Sequence, residues 1–201
     1  MHARVIVLAG PSGSGKSRLC RRLGLPTVNL DDFYKDGDDP TLPRLEISPG
    51  QHIGDWDDPA SWRCEDAVDA LEQICRDGAA EVPVYDIASD GRTGHRKVDV
   101  GDTAYFVAEG IFAQEVVSLC RARGILGDAI CLSNNRFLTF WRRLVRDLRE
   151  HRKPPLVLLR RGLLLLQHEP QVVAHAVELG CVTMTPDAAF HRIRTLAAAN
   201  A

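Results

Sequence analysis

Residues Gly10 to Ser17 read GPSGSGKS and follow directly on the apolar run Val5-Ile6-Val7-Leu8-Ala9. A glycine, four residues and then Gly-Lys-Ser, set between that run and an amphipathic one (Leu19, Cys20, Leu23, stopped by Gly24), impose the order strand, loop, helix. Gly10, Gly13 and Gly15 can take backbone angles closed to other residues, which lets main-chain N–H groups approach a polyphosphate closely. Lys16 is expected to reach the outer phosphates and Ser17 to hold Mg2+, while the opening helix turns its unsatisfied N–H groups and positive dipole end toward the same anion. The expected nucleotide-binding segment is therefore Gly10, Pro11, Ser12, Gly13, Ser14, Gly15, Lys16, Ser17 and Arg18. A merely flexible Gly/Ser turn would need neither the strand before it nor the helix after it. The ligand expected here is a nucleoside triphosphate, ATP.

Composition narrows the class. At 201 residues the chain suits one domain with room for a small lid, so 1–201 is expected to fold as a unit. Apolar residues at 45% and charged ones at 26% are ordinary globular values, and a net charge of −2 gives no support to a general nucleic-acid binder. The six cysteines (Cys20, Cys64, Cys75, Cys120, Cys131, Cys181) show no metal or redox spacing, and several fall on apolar faces. Buried thiols in a reduced, cytoplasmic protein account for them better than a disulfide framework. The seven histidines show no zinc-like spacing. The leucine-rich run Leu156 to Leu166 is broken by Arg160, Arg161 and Gly162, so neither a membrane span nor a signal peptide is expected. A homo-oligomer is compatible with the sequence.

Pro26 to Leu30 reads as a second parallel strand emptying into Asp31-Asp32-Phe33-Tyr34. Ligands of an open α/β sheet sit at the carboxyl ends of its strands. One acid there can take the proton of an attacking hydroxyl, while the other caps the turn. Lys35 to Pro59 reads as a long functional loop with room for short strands, ending in Asp55-Trp56-Asp57-Asp58-Pro59. A carboxylate here could hold a sugar diol and the indole could stack on a base; equally, Asp58-Pro59 is a helix start and Trp56 an anchor. Cys64, Ala67, Val68, Leu71, Ile74 and Cys75 predict a helix stopped by Gly78.

A strand Val82 to Ile87, a turn Ser89 to Gly94 and a returning strand Lys97 to Val100 predict a small hairpin over about 82–102. Ala104 to Ala108 is a buried strand ending at Glu109-Gly110, an acid that would hold Mg2+ beside the phosphate loop if this strand neighbours the first. Ile111 to Leu119 reads as helix, Ala129 to Leu132 as strand and Asn134 to Arg149 as helix. That last helix carries Arg142, Arg143, Arg146 and Arg149 ahead of His151 and Pro154-Pro155. It is either a solvated face or a helical lid over about 142–160 whose arginines clamp a phosphoryl group. Helical runs Pro155 to His168 and Gln171 to Glu178, a strand Cys181 to Met184 and a helix Asp187 to Ala199 close an α/β chain with a mostly parallel sheet.

These segments together resemble the uridine kinase family of phosphate-loop enzymes. GPSGSGKS at Gly10, LDDFY at Leu30, DWDDPASW at Asp55, PVYD at Pro83, VAEGIF at Val107 and RRLVRD at Arg142 stand in the family's order, from Val5 to about Lys153. The resemblance implies a P-loop NTPase fold of three α/β/α layers, and phosphorylation of a nucleoside 5′-hydroxyl by ATP with Mg2+. By position it implies Asp31, beside the metal, as general base, Tyr34 in the nucleoside pocket wall, Asp57 on the ribose hydroxyls and Tyr85 beside the base. It further implies Glu109 as a magnesium-associated acid, and Arg143 and Arg146 on phosphates.

Three positions depart from the family pattern. Asp90 stands for a base-reading histidine; ionised, it offers only acceptors, to uracil N3–H or an exocyclic amine, or it is simply a turn residue. His151 and Lys153 stand for lid arginines. Phosphoribulokinase- and pantothenate kinase-like acceptors are the alternatives within the superfamily, and a non-catalytic ATP-binding regulator is the alternative from another class. Such a regulator would need no carboxylate at both strand ends, Asp31 and Glu109. A GTPase is disfavoured, because Ser133-Asn134-Asn135-Arg136 stands where an Asn-Lys-x-Asp segment belongs.

Overall fold

The structure, a computed structural model, describes residues 3–133 and 170–199. Strand β1 (Arg4–Ala9) is the middle of a five-stranded sheet in which every pairing is parallel. On one side of it lie β7 (Tyr105–Glu109) and then β2 (Thr27–Asn29); on the other lie β8 (Leu126–Leu132) and then β9 (Val182–Met184). Side chains alternate across a strand, so β1 feeds two cores. Val5, Val7 and Ala9 pack in one cluster with Leu71 and Ile74 of α2 (Cys64–Asp77), Val117 of α3 (Val116–Ala122) and Ala176 of α4 (170–178). Ile6 and Leu8 pack in the other with Leu19 and Leu23 of α1 (Lys16–Leu23) and Ile193 of α5 (Pro186–Ala198). Helices therefore cover both faces of the sheet, the three α/β/α layers that the sequence implied.

The stretch Lys35 to Pro59 holds the short strands for which it had room, a hairpin of β3 (Arg44–Ser48) and β4 (Gln51–Gly54), because Leu45, Ile47 and Ile53 alternate with polar residues across a Pro-Gly turn. Three expectations need correction. The second hairpin, β5 (Ala79–Asp86) and β6 (Gly91–Asp99), has a shorter turn than predicted: Gly94 already pairs with Val84, and Arg92 with Tyr85. Pro83 is accommodated because each strand of a two-stranded sheet is an edge. Ile111 to Leu119 is not one helix, since a 3-10 turn, Ala113–Glu115, precedes α3, which begins only at Val116. Strand β8 begins at Leu126 rather than Ala129. The predicted lid at 142–160, with Arg142, Arg143, Arg146, Arg149, His151 and Lys153, lies outside the described residues, as do the helices predicted for Asn134 to Arg149 and Pro155 to His168. No described helix is long and apolar enough to cross a membrane.

The last helix is tied to the sheet by a forked ion pair. Asp128 on β8, 9% exposed, accepts from Arg192 Nε at 2.6 Å and Nη2 at 3.1 Å. Arg192→Ala would leave a nearly buried carboxylate without its cation and should cost about 1–3 kcal/mol, read as a lower urea midpoint at unchanged m-value. Arg192→Lys, which cannot form the fork, should recover only part of it.

Candidate active site

Gly10 ends β1 with φ 134, and a Cβ there would stand 2.7 Å from Leu132 O, so no side chain fits at the start of the loop. Ser14 N–H then donates to Pro11 O at 3.1 Å, and Ser14 Oγ is buried inside the loop with no hydrogen-bond partner among the described residues. Helix α1 has no side-chain cap and no acid in its first turn, which leaves its N–H groups free to meet an anion. Lys16 Nζ arches back over the loop, donating to Gly10 O at 2.7 Å and Pro11 O at 3.4 Å. Ser17 Oγ donates to Glu109 Oε1 at 2.9 Å. These two oxygens are hard donors suited to Mg2+, which takes its other ligands from water and phosphate rather than from a protein cage. Among the described residues no group of three or more His, Cys, Asp or Glu could hold a metal by itself.

Strand β2 runs into a 3-10 turn, Leu30–Phe33, capped by Asn29, whose side chain accepts from Asp31 N–H at 3.3 Å. Trp62 Nε1–H holds the turn from beneath by donating to Leu30 O at 2.6 Å. Two adjacent acids leave the turn for different partners. Asp31 Oδ1 accepts from Ile111 N–H at 2.8 Å; burial raises its pKa above the ordinary aspartate value, opposed by that N–H and by Lys16 and reinforced by Glu109 and Asp32. Asp32, 8% exposed, accepts from Tyr85 N–H at 3.4 Å and faces Arg96 Nη2 at 3.4 Å, so it holds the β5–β6 hairpin rather than the loop. Gly110 lets β7 come this close, because a Cβ there would lie 2.8 Å from Asp31 Oδ1 and 2.9 Å from Leu30 Cβ.

Beside Asp31 stands a box of four rings. Tyr34 lies 5.7 Å from Trp56, 5.7 Å from Tyr85 and 6.0 Å from Phe112, and Trp56 lies 6.2 Å from Tyr85. Tyr34 Oη donates to Trp56 O at 3.2 Å. Burial, then Asp31 and Asp57, raise the Tyr34 pKa; burial, then Asp90, Asp36 and Asp86, push that of Tyr85 up to about 12. A bulge between Val84 and Tyr85 interrupts the hairpin register where Tyr85 enters the box. The hairpin tip is strapped to the loop after β2: Arg92 N–H donates to Asp36 Oδ1 and Gly37 N–H to Asp90 O, both at 2.7 Å.

The predicted residues thus fall into groups. The loop, Lys16, Ser17, Asp31 and Glu109 converge, and Tyr34, Tyr85 and Trp56 meet next to them. Asp57 is exposed, its N–H on Asp55 Oδ1 at 3.2 Å, and Asp58 caps the short turn after it by accepting from Ala60 N–H at 2.8 Å. Asp90 is an exposed turn residue with φ 48. Arg18 is exposed on α1. Arg143 and Arg146 lie outside the described residues. Sequence reasoning missed Phe112, Gly110 and the Asp32–Arg96 pair; only the place of Arg96 on the same strand face as Val98, two residues on, could have signalled the last.

No family model matches the chain. It is 26% identical over 155 residues, 75% of its length, to the inorganic pyrophosphatase TTM2 of Arabidopsis thaliana, of which it spans only 21%. It is 29% identical over 154 residues to the uridine kinase of Staphylococcus aureus strain JH9, covering 73% of this chain and 69% of that one. A crystal structure of a candidate fructose transport system kinase from Silicibacter sp. TM1040 superposes with TM-score 0.61 at 19% identity, covering 86% of this chain and 85% of that one. Fold and site define a phosphate-loop domain of three α/β/α layers. In sequence it is similar to uridine kinase, the resemblance already carried by the motifs that build the site.

Gly110→Ala should overpack the contact with Asp31 and Leu30, costing about 1–3 kcal/mol, with the loss visible as a lower thermal midpoint. Gly94→Ala, at an exposed strand position where a Cβ meets nothing within 4 Å and the backbone angle is not left-handed, controls for the general effect of adding a methyl group.

Proposed function

We propose that the chain, working as one catalytic domain, transfers the γ-phosphate of ATP to the 5′-hydroxyl of a pyrimidine nucleoside. The observation that carries this reading is the half-buried Asp31 carboxylate, held by Ile111 N–H and within electrostatic reach of Lys16 on the phosphate loop. Asp31 takes the proton of the acceptor hydroxyl as its oxygen bonds to phosphorus and the bond to the bridging oxygen breaks, releasing ADP. Lys16 and the N–H groups of the loop neutralise the transferring phosphate, with Arg143 and Arg146 as further phosphate contacts. Bound Mg2+, held by Ser17 and Glu109 beside Asp31, would supply charge neutralisation. Tyr34 and Tyr85 flank the base, with Asp57 on the ribose hydroxyls and Asp90 at the base edge. The thiols suit a reducing, cytoplasmic setting, since all six are free and five are buried.

Purified protein with ATP and uridine or cytidine should yield ADP and the nucleoside 5′-monophosphate. Lys16→Ala should abolish turnover with an unchanged circular dichroism spectrum; full activity there would overturn the assignment. Asp31→Asn should lower kcat by about two to four powers of ten. A base must be ionised, so kcat/KM should fall as pH drops through the pKa of Asp31. Because burial raises that pKa, the acid limb should lie above that of an ordinary aspartate, and Asp31→Asn should remove it.

A further inference from the structure

We propose that Trp62 is a positioning residue for Asp31, a brace that steadies both halves of the Asp31–Ile111 hydrogen bond and joins the acid to the ring box. Its effect on turnover rests on the reading of Asp31 as the acid that takes the acceptor's proton. Leu30 O and Asp31 N–H are the two ends of one planar peptide unit, which turns as a rigid body. Trp62 Nε1–H donates to that oxygen at 2.6 Å, and Asn29 Oδ1 accepts from that N–H at 3.3 Å. A plane held at both ends fixes the torsions on either side of it, and with them the direction in which the Asp31 side chain leaves the backbone. Leu30 is fully buried, so no bulk water replaces the indole donor if it is lost.

The same indole reaches the other half of the bond. Its ring lies 6.2 Å from that of Phe112, and Phe112 follows Ile111, whose N–H donates to Asp31 Oδ1 at 2.8 Å. Trp62 therefore touches the residue before the acid and the residue after the donor that holds it. Its main chain grips the segment as well: Tyr34 and Trp62 form an antiparallel bridge, Lys35 N–H donates to Ser61 O at 2.9 Å and Arg63 N–H to Phe33 O at 3.0 Å. Tyr34, the ring that meets the other three of the box, is thus set from the residue that sets Asp31. At 4% exposed, Trp62 has almost no surface to offer a ligand and acts through these neighbours.

Trp62→Phe keeps a ring against Phe112 and the main-chain bridge, and removes the N–H. Amide hydrogen exchange in the full chain, read by NMR, follows the brace without any turnover. The Ile111 amide should exchange about tenfold faster in the variant relative to Ile6 and Val7 of β1, which report the stability of the whole domain. Asn29→Ala, which frees the other end of the plane, should act in the same direction by about threefold, and it carries the test if Trp62→Phe does not fold. An Ile111 amide that only keeps pace with Ile6 and Val7 overturns the proposal. With ATP and uridine, Trp62→Phe should lower kcat about tenfold and leave KM for uridine within about twofold; added to Asp31→Asn, it should lower kcat by less than about twofold, because the two residues act as one unit. An unchanged kcat, a loss confined to KM, or an equal loss in both backgrounds also overturns it. If the Ile111 amide responds as expected and the wild-type chain phosphorylates no acceptor, the brace stands and the reading of Asp31 as a kinase base is the one that fails.

Discussion

The level pairing of three parallel strands is the constraint on which the site depends. Leu8 of β1 pairs with Glu109 of β7, and Glu109 pairs with Asn29 of β2. The phosphate loop, the acid at Ser17 and the turn bearing Asp31 therefore begin at one height along the sheet, so no side chain has to stretch to reach another. Side chains alternate with period two, so a slip of one residue in β7 would carry Glu109 to the opposite face and remove Gly110 from the only place where its missing Cβ matters. The two apolar clusters resist such a slip, since Phe106 and Ala108 belong to one and Val107 to the other.

Two consecutive acids do different work because a tight 3-10 turn, not a strand, carries them. Asp31 is drawn to the end of β7 by one N–H, and Asp32 to the hairpin by another. The link through Asp32 means that the wall bearing Tyr85 is positioned from the same four residues as the acid facing Lys16. The ring box and the loop are in this way built on a common base, although β5 and β6 take no part in the five-stranded sheet.

The loop and the ends of β1, β2 and β7 could be read from residue order, since glycine spacing and buried apolar runs are local properties. So could α1 and α2, whose stops at Gly24 and Gly78 adopt the left-handed backbone expected of terminal glycines. What could not be read depended on distant neighbours. Nothing local distinguishes Asp31 from Asp32; their partners Ile111 and Tyr85 lie eighty and fifty-three residues away. Arg92 looked like part of a turn because Gly91 and Gly94 flank it, yet strand pairing continues through both glycines. Phe112 had no periodicity to mark it, and it enters the box only because Gly110 lets the chain turn there. The short strands allowed for in the loop after Tyr34 could not be given bounds, because the local density of Gly, Pro and Asp usually signals irregular chain.

The two hairpins are appendages to a frame that is complete without them. Among the described residues, those that would handle the phosphate are set in the loop, the strand ends of the parallel sheet and its first helix, whereas Trp56 and Tyr85 come from segments inserted between those strands. Insertions of this kind can lengthen, shorten or be exchanged in the course of descent while the frame is conserved, so related chains can diverge in the compound they modify and keep the same donor chemistry.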